Sequence, residues 1–216
     1  MATPEHLADT FVEFAHLLSE RLKAGVRTTE DSVRYTFYSA LNKGGKFSHT
    51  EIVFEYPHPK IPGAEIDTLL QPRTGQSAAI EFKYDRGNKG GTNQNRTQRA
   101  GSALADVFRL VKVPTEVAVN RYFVYVTDGE MAGYFKNPNN RLHQFFTPDS
   151  RLALNASLFA EFAQTFRARV DALISDCEVH CAFAADLPGD HCVRVWHVLP
   201  SNILSRPTAL VAAKRT

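Results

Sequence analysis

The chain has 216 residues, 44% hydrophobic and 22% charged, with a formal net charge of +2, a balance that suits one compact α/β domain over residues 1–216. No apolar run approaches the length of a membrane span, and "MATPEHLADTFVEF" has acids where a signal peptide needs a basic region, so the protein is expected in the cytoplasm without a membrane partner. Cys177, Cys181 and Cys192 are an odd number in a chain with ample core, which excludes a disulfide framework and predicts reduced thiols.

Residues 5–23 place Leu7, Phe11, Phe14, Ala15, Leu18 and Leu22 at helical spacing, and Gly25 closes that helix. A second helix starts in "RTTEDSVRYTFYSALNKGG", where Thr28 or Thr29 can cap, Glu30 and Asp31 occupy the first turn, and Gly44-Gly45 ends it. Then "EIVFEY" and "AEIDTLL" alternate as strands around the loop "PHPKIPG", and "SAAIEFKY" follows as a third strand after the turn "QPRTGQS". From about Gln94, Ala100, Ala103, Leu104, Val107, Phe108 and Val111 form one helical face. "EVAVNRYFVYVTD" is a strand, residues 155–174 read as a helix through Leu158, Phe162, Phe166, Val170 and Leu173, and residues 179–199 form a hairpin turning at Pro188-Gly189. The order is helix, helix, three strands, helix, strand, helix, hairpin: a mixed α/β layer arrangement without repeats.

Side chains alternate along a strand, so Ala79, Glu81, Lys83 and Asp85 share one face and Ala78, Ile80, Phe82 and Tyr84 the other. If "EIDTLL" pairs with this strand, Asp67 comes beside Glu81 on the charged face. An isolated Glu-x-Lys triplet carries little weight, since about one is expected by chance in a chain of this size. Its setting carries more: an apolar back face, a preceding strand with Asp67, and a basic segment and amphipathic helix after it. A surface ion pair with a solvated Asp67 is the competing reading. Helices on both sides of the strands favour a cleft, because charged residues on interior strands are rarely buried without a purpose. Two carboxylates suit Mg²⁺, with Mn²⁺ as a substitute, and the chemistry is phosphodiester hydrolysis in which Lys83 orients a water or stabilises developing charge.

Asp67, followed after thirteen residues by Glu81-Phe82-Lys83, resembles the PD-(D/E)xK nuclease superfamily. The resemblance implies a restriction-endonuclease-like fold: a mixed central sheet flanked by helices, here with a catalytic core at about residues 28–127 and a C-terminal helix and β-hairpin over 155–199. It assigns Asp67, Glu81 and Lys83 to catalysis, and Asp67, Glu81 and the Phe82 carbonyl to Mg²⁺. Glu30 is the candidate for the Glu that many members carry on the preceding helix, and Gln98 or Arg99 for a polar residue on the following one. The Pro of the motif is absent, since Ile66 precedes Asp67.

Residues 83–99, "KYDRGNKGGTNQNRTQR", hold Lys83, Arg86, Lys89, Arg96 and Arg99 against the single acid Asp85. Such a segment can track a phosphate backbone or be a solvated loop; Arg86, Lys89, Arg96, Gln98 and Arg99 are the candidate nucleic-acid contacts. The glycines of "NKGGTNQN" match neither nucleotide-binding spacing. Glu51, Glu55 and Glu65 lie near the expected cleft, Glu65 with the parity of Asp67. Cys177, His180, Cys181, His191 and Cys192 lack the spacing of a zinc ribbon, and a hairpin centred on Pro188-Gly189 sets His180 opposite His197, away from Cys181. Two functions stay open. One is a DNA endonuclease of a prokaryotic restriction or defence system, acting on double-stranded DNA as a homodimer that cuts both strands, or its relative in repair. The other is a non-catalytic nucleic-acid-binding or assembly module.

Overall fold

The computed structural model describes residues 5–43, 47–87 and 93–201. Helix α1 (Glu5–Lys23) buries Leu7, Phe11, Phe14 and Leu18. It ends as expected at Gly25, whose φ of +66° lets Gly25 N donate to Leu22 O and Val26 N to Arg21 O. Helix α2 (Glu30–Lys43) is capped by Thr29, whose Oγ1 accepts from Ser32 N at 3.2 Å. The expected stop at Gly44-Gly45 lies outside the described residues.

Strands β1 (Ile52–Pro57), β2 (Glu65–Leu70) and β3 (Ala78–Asp85) follow within a residue or two of the expected bounds. Helix α3 (Asn93–Val111) crosses over to β4 (Asn120–Thr127), which is buried along its whole length. The chain then builds α4 (Gly129–Lys136), α5 (His143–Phe146), β5 (Arg151–Leu154), α6 (Ala156–Phe159), α7 (Gln164–Val170), β6 (Cys177–Asp186) and β7 (Cys192–Pro200). These form one mixed sheet in the order β1-β2-β3-β4-β7-β6-β5. Only β3 and β4 run parallel, as a crossover through α3 requires, while the remaining pairs are antiparallel.

The sheet separates two cores. Ala78, Ile80, Phe82, Tyr122, Val124 and Val126 meet α1 and α2 on one side. Ala79, Phe123, Tyr125 and Trp196 meet α3 and the segments around α4, α5 and α7 on the other. Charged residues of β3 therefore lie under α3, on an interior strand covered on both faces. Among the described residues no helix is long and apolar enough to cross a membrane.

The single helix expected over 155–174 is instead α6 and α7. Asn155 caps the first through Leu158 N, and the intervening turn lets Phe159, Phe162 and Phe166 pack ring against ring, with Phe159 edge-on to Phe108 of α3. The i, i+4 spacing is present; the tertiary contacts decide where the helix breaks. The hairpin at the C-terminal side is as expected, with His180 opposite His197. Its thiols Cys177, Cys181 and Cys192 are free and buried, pushed up to about 12, 11 and 11 by burial.

Helices α3 and α7 approach closely because Gly101 has no side chain: a Cβ there would stand 2.8 Å from Phe166 O. Alanine would contribute roughly 1 kcal/mol of helix propensity, but the clash is with backbone and costs about 1–3 kcal/mol. Gly101→Ala is expected to lower the melting temperature by a few degrees. An unchanged or raised melting temperature would show that α7 is free to shift.

Candidate active site

The pairing of β2 with β3 runs Leu70–Ala78, Leu69–Ala79, Thr68–Ile80 and then stops. Extending the register by one residue sets Asp67 opposite Glu81. There the strands splay, and the edge of β3 loses its partner while its amides still need acceptors. Asp67 supplies one: its Oδ2 accepts from Phe82 N at 2.8 Å. Glu30, in the first turn of α2, supplies the next through Oε2, which accepts from Tyr84 N at 3.1 Å. N–H and C=O of one strand residue face the same neighbour, so the Phe82 carbonyl opens into the same gap.

On β1, the residue opposite Asp67 is Glu55, between the pairs Phe54–Thr68 and Tyr56–Ile66. Its φ is +51°, a left-handed conformation that is strained for a residue with a Cβ. Along β2, Ile66 packs in the α3-side core although Leu70, an even number of residues away, lies in the other.

Glu81 is 2% exposed. Its Oε2 stands 3.6 Å from Arg109 Nη2, while its Oε1 is buried and receives no hydrogen bond. The register brings its carboxyl group beside Asp67, whose charge acts on it. Two acceptors thus stand side by side, offset in part by Arg34 on Asp67 and Arg109 on Glu81. Burial, and then the Asp67 charge, push Glu81 well above the usual carboxylate range against the pull of Arg109. Asp67 is raised by burial too, but Phe82 N–H and Arg34 draw it back. Among the described residues no three His, Cys, Asp or Glu side chains form a metal-holding group; the fit to a cation rests on two carboxylates, a carbonyl and the orphaned Glu81 oxygen.

Lys83 Nζ pairs with Glu30 Oε2 at 3.3 Å. Burial alone would lower its pKa, but Glu30, Asp106 and Asp85 outweigh it and hold it raised. It is an ammonium at neutral pH, able to donate and unable to act as a base. Asp85, of the same parity, accepts from Tyr125 Oη at 2.9 Å and is buried against the sheet.

Three partners were not anticipated from sequence. Arg34, one turn after Glu30, reaches Asp67 Oδ1 at 3.3 Å and Glu55 Oε1 at 3.7 Å and closes on Asp31. Asp106 and Arg109 stand on α3, joined through Oδ1 and Nη2 at 2.8 Å. Asp106 is buried, which pushes its pKa up to about 7 against the pull of Arg109 and Lys83. Its signal is legible: Ala103, Asp106 and Leu110 fall at i, i+3, i+7, an acid in an apolar stripe. Arg109 is fixed from behind by His58 of the β1–β2 loop. His58 Nδ1 accepts from Lys60 N, so its Nε2–H donates to Arg109 O at 3.0 Å.

The basic segment behaves differently from the carboxylates. Arg96 Nε pairs with Glu130 Oε1 of α4 at 2.7 Å, and Arg99 Nη1 donates to the backbone carbonyl of Arg86, itself exposed. Gln98 is half-buried, and Lys89 lies outside the described residues. Glu51 is structural: it completes a capping box with Ser48 and accepts from Arg73 N. Glu65 is exposed at the start of β2. The hairpin residues hold no metal group; His191 accepts through Nε2 from Tyr84 Oη at 3.4 Å and donates through Nδ1 to Gly189 O at 2.9 Å. Comparison with protein-family models, curated proteins and solved structures finds no match to this chain.

Proposed function

We propose that the protein is a Mg²⁺-dependent phosphodiester hydrolase of the PD-(D/E)xK type, acting as a DNA endonuclease of a prokaryotic restriction or defence system. The observation that carries this reading is the pair Asp67 and Glu81, a half-buried and a buried acceptor on adjacent strands, with Glu81 Oε1 left without a donor. A buried carboxylate oxygen without a donor gains nothing for the fold, but it suits a cation site. Asp67, Glu81 and the Phe82 carbonyl would hold Mg²⁺ or Mn²⁺, which supplies charge neutralisation at a phosphate and a lowered pKa for bound water.

The chain's own residues do the rest. Phe82 N–H fixes the Asp67 carboxylate at the splayed strand edge, and Tyr84 N–H fixes Glu30. Glu30 in turn pairs with the Lys83 ammonium, two residues along β3 from Glu81. Lys83 donates to the attacking water or to a phosphate oxygen and offsets the charge that develops there. The cations of residues 83–99 favour a polyanionic substrate, although Arg96 and Arg99 spend part of their donor capacity inside the protein.

The test is incubation of purified protein with supercoiled plasmid, and in parallel with RNA, with Mg²⁺ and with EDTA. Nicking or linearisation of plasmid only with Mg²⁺ is expected. Nucleic-acid binding without cleavage under all cation conditions would replace the enzyme by a binding module. Lys83→Ala is expected to leave divalent-cation binding in place and to slow single-turnover cleavage by about a hundredfold. An unchanged rate would remove Lys83 from the chemistry.

A further inference from the structure

We infer that Arg34 and Arg109 are resident counter-ions of the carboxylate pair, which a divalent cation displaces and which then turn to the phosphate of the substrate. The inference rests on the proposed cation-dependent hydrolase. The two guanidiniums approach from opposite helices, one to each acid: Arg34 Nη1 to Asp67 Oδ1 at 3.3 Å, Arg109 Nη2 to Glu81 Oε2 at 3.6 Å. Neither is committed to that acid alone. Arg34 also closes on Asp31 and lies 3.7 Å from Glu55 Oε1, and Arg109 is 2.8 Å from Asp106 Oδ1. Each arginine therefore has a second carboxylate to retire to without crossing the site.

A guanidinium and a hard divalent cation compete for the same lone pairs. The cation brings twice the charge and repels both arginines, which withdraw toward Asp31, Glu55 and Asp106. Their remaining donors are then available, since both guanidiniums are partly exposed. Planar forks of this kind match phosphate oxygens. Glu81, almost wholly buried with an orphaned oxygen, is what makes the exchange directional, since no arginine donor reaches that atom. Through linkage, cation and polyanion each raise the other's affinity, because the groups released by one are the ligands of the other.

The experiment uses the full chain in two titrations: Mn²⁺ without DNA, followed by electron paramagnetic resonance, and a DNA duplex in Ca²⁺, followed by fluorescence anisotropy. In Arg34→Gln/Arg109→Gln, Mn²⁺ should bind about tenfold more tightly, since two competing charges near the site are gone. DNA in Ca²⁺ should bind about tenfold more weakly. The double variant Arg34→Lys/Arg109→Lys keeps both charges and should hold Mn²⁺ near the wild-type affinity, which separates lost charge from damaged fold. Mn²⁺ affinity that stays or falls in the Gln variant, or DNA affinity that holds, overturns the exchange. A wild-type protein that takes up no Mn²⁺ overturns the proposed hydrolase, and the exchange with it.

Discussion

Asp67→Asn and Glu81→Gln are each expected to lower the proposed Mg²⁺-dependent cleavage by about a thousandfold or more, several kcal/mol of transition-state stabilisation. Each change removes a negative charge from the proposed cation site and leaves the volume almost unaltered. The fold should tolerate both. The amide of the Asp67→Asn variant keeps an oxygen for the Phe82 N–H, which Asp67 satisfies at 2.8 Å. The Glu81→Gln variant keeps an oxygen toward Arg109 and ends the confrontation of two acceptors, so its melting temperature should match or exceed that of the wild type in EDTA. Mn²⁺ affinity should fall alongside cleavage. Loss of cleavage with wild-type Mn²⁺ affinity, or full cleavage in either variant, would move the cation elsewhere.

Strand identity, register and the convergence of Asp67 with Glu81 were legible because they follow from local rules: a period of two, a Pro/Gly turn, and a one-residue step that fixes which face each side chain takes. Glu30 came from the family resemblance, and its carboxylate does meet Lys83. What stayed hidden depends on distance along the chain. Arg109 belongs to the site because His58, in a loop fifty-one residues earlier, holds its carbonyl, and no periodicity reports such a contact. Arg34 reads as an ordinary exposed helix position until β2 places Asp67 beneath it. Residues 129–154 hold two short α-helices, a 3-10 turn and a four-residue strand, too brief for a helical or strand period to emerge. The split of α6 from α7 has a similar origin, since three phenylalanines at i, i+3 or i+4 satisfy one helix as well as two.

Asp106 shows how stability and the site pull against each other. In an unfolded chain an Asp titrates near 3.8, while in the fold burial pushes Asp106 up to about 7. Between those values the folded protein keeps a proton that the unfolded chain has shed. Stability must then fall as pH rises through this window, by about 1.4 kcal/mol per unit, and level off above it. Asp106→Asn cannot lose that proton, and its amide oxygen still faces Arg109, which Asp106 meets at 2.8 Å. The variant should match the wild type near pH 4 and exceed it progressively, by up to about 4 kcal/mol at pH 8 in EDTA. Glu81, Asp67 and Asp85 are raised as well, yet they titrate in both proteins and largely cancel in the difference. Urea denaturation at several pH values from 4 to 8 measures it. Parallel curves for the two proteins would mean that Asp106 is ionised throughout and already compensated by Arg109 and Lys83. A gap that opens with pH would mean that the fold tolerates an uncompensated acid beside Glu81, a cost that stability alone gives no reason to keep.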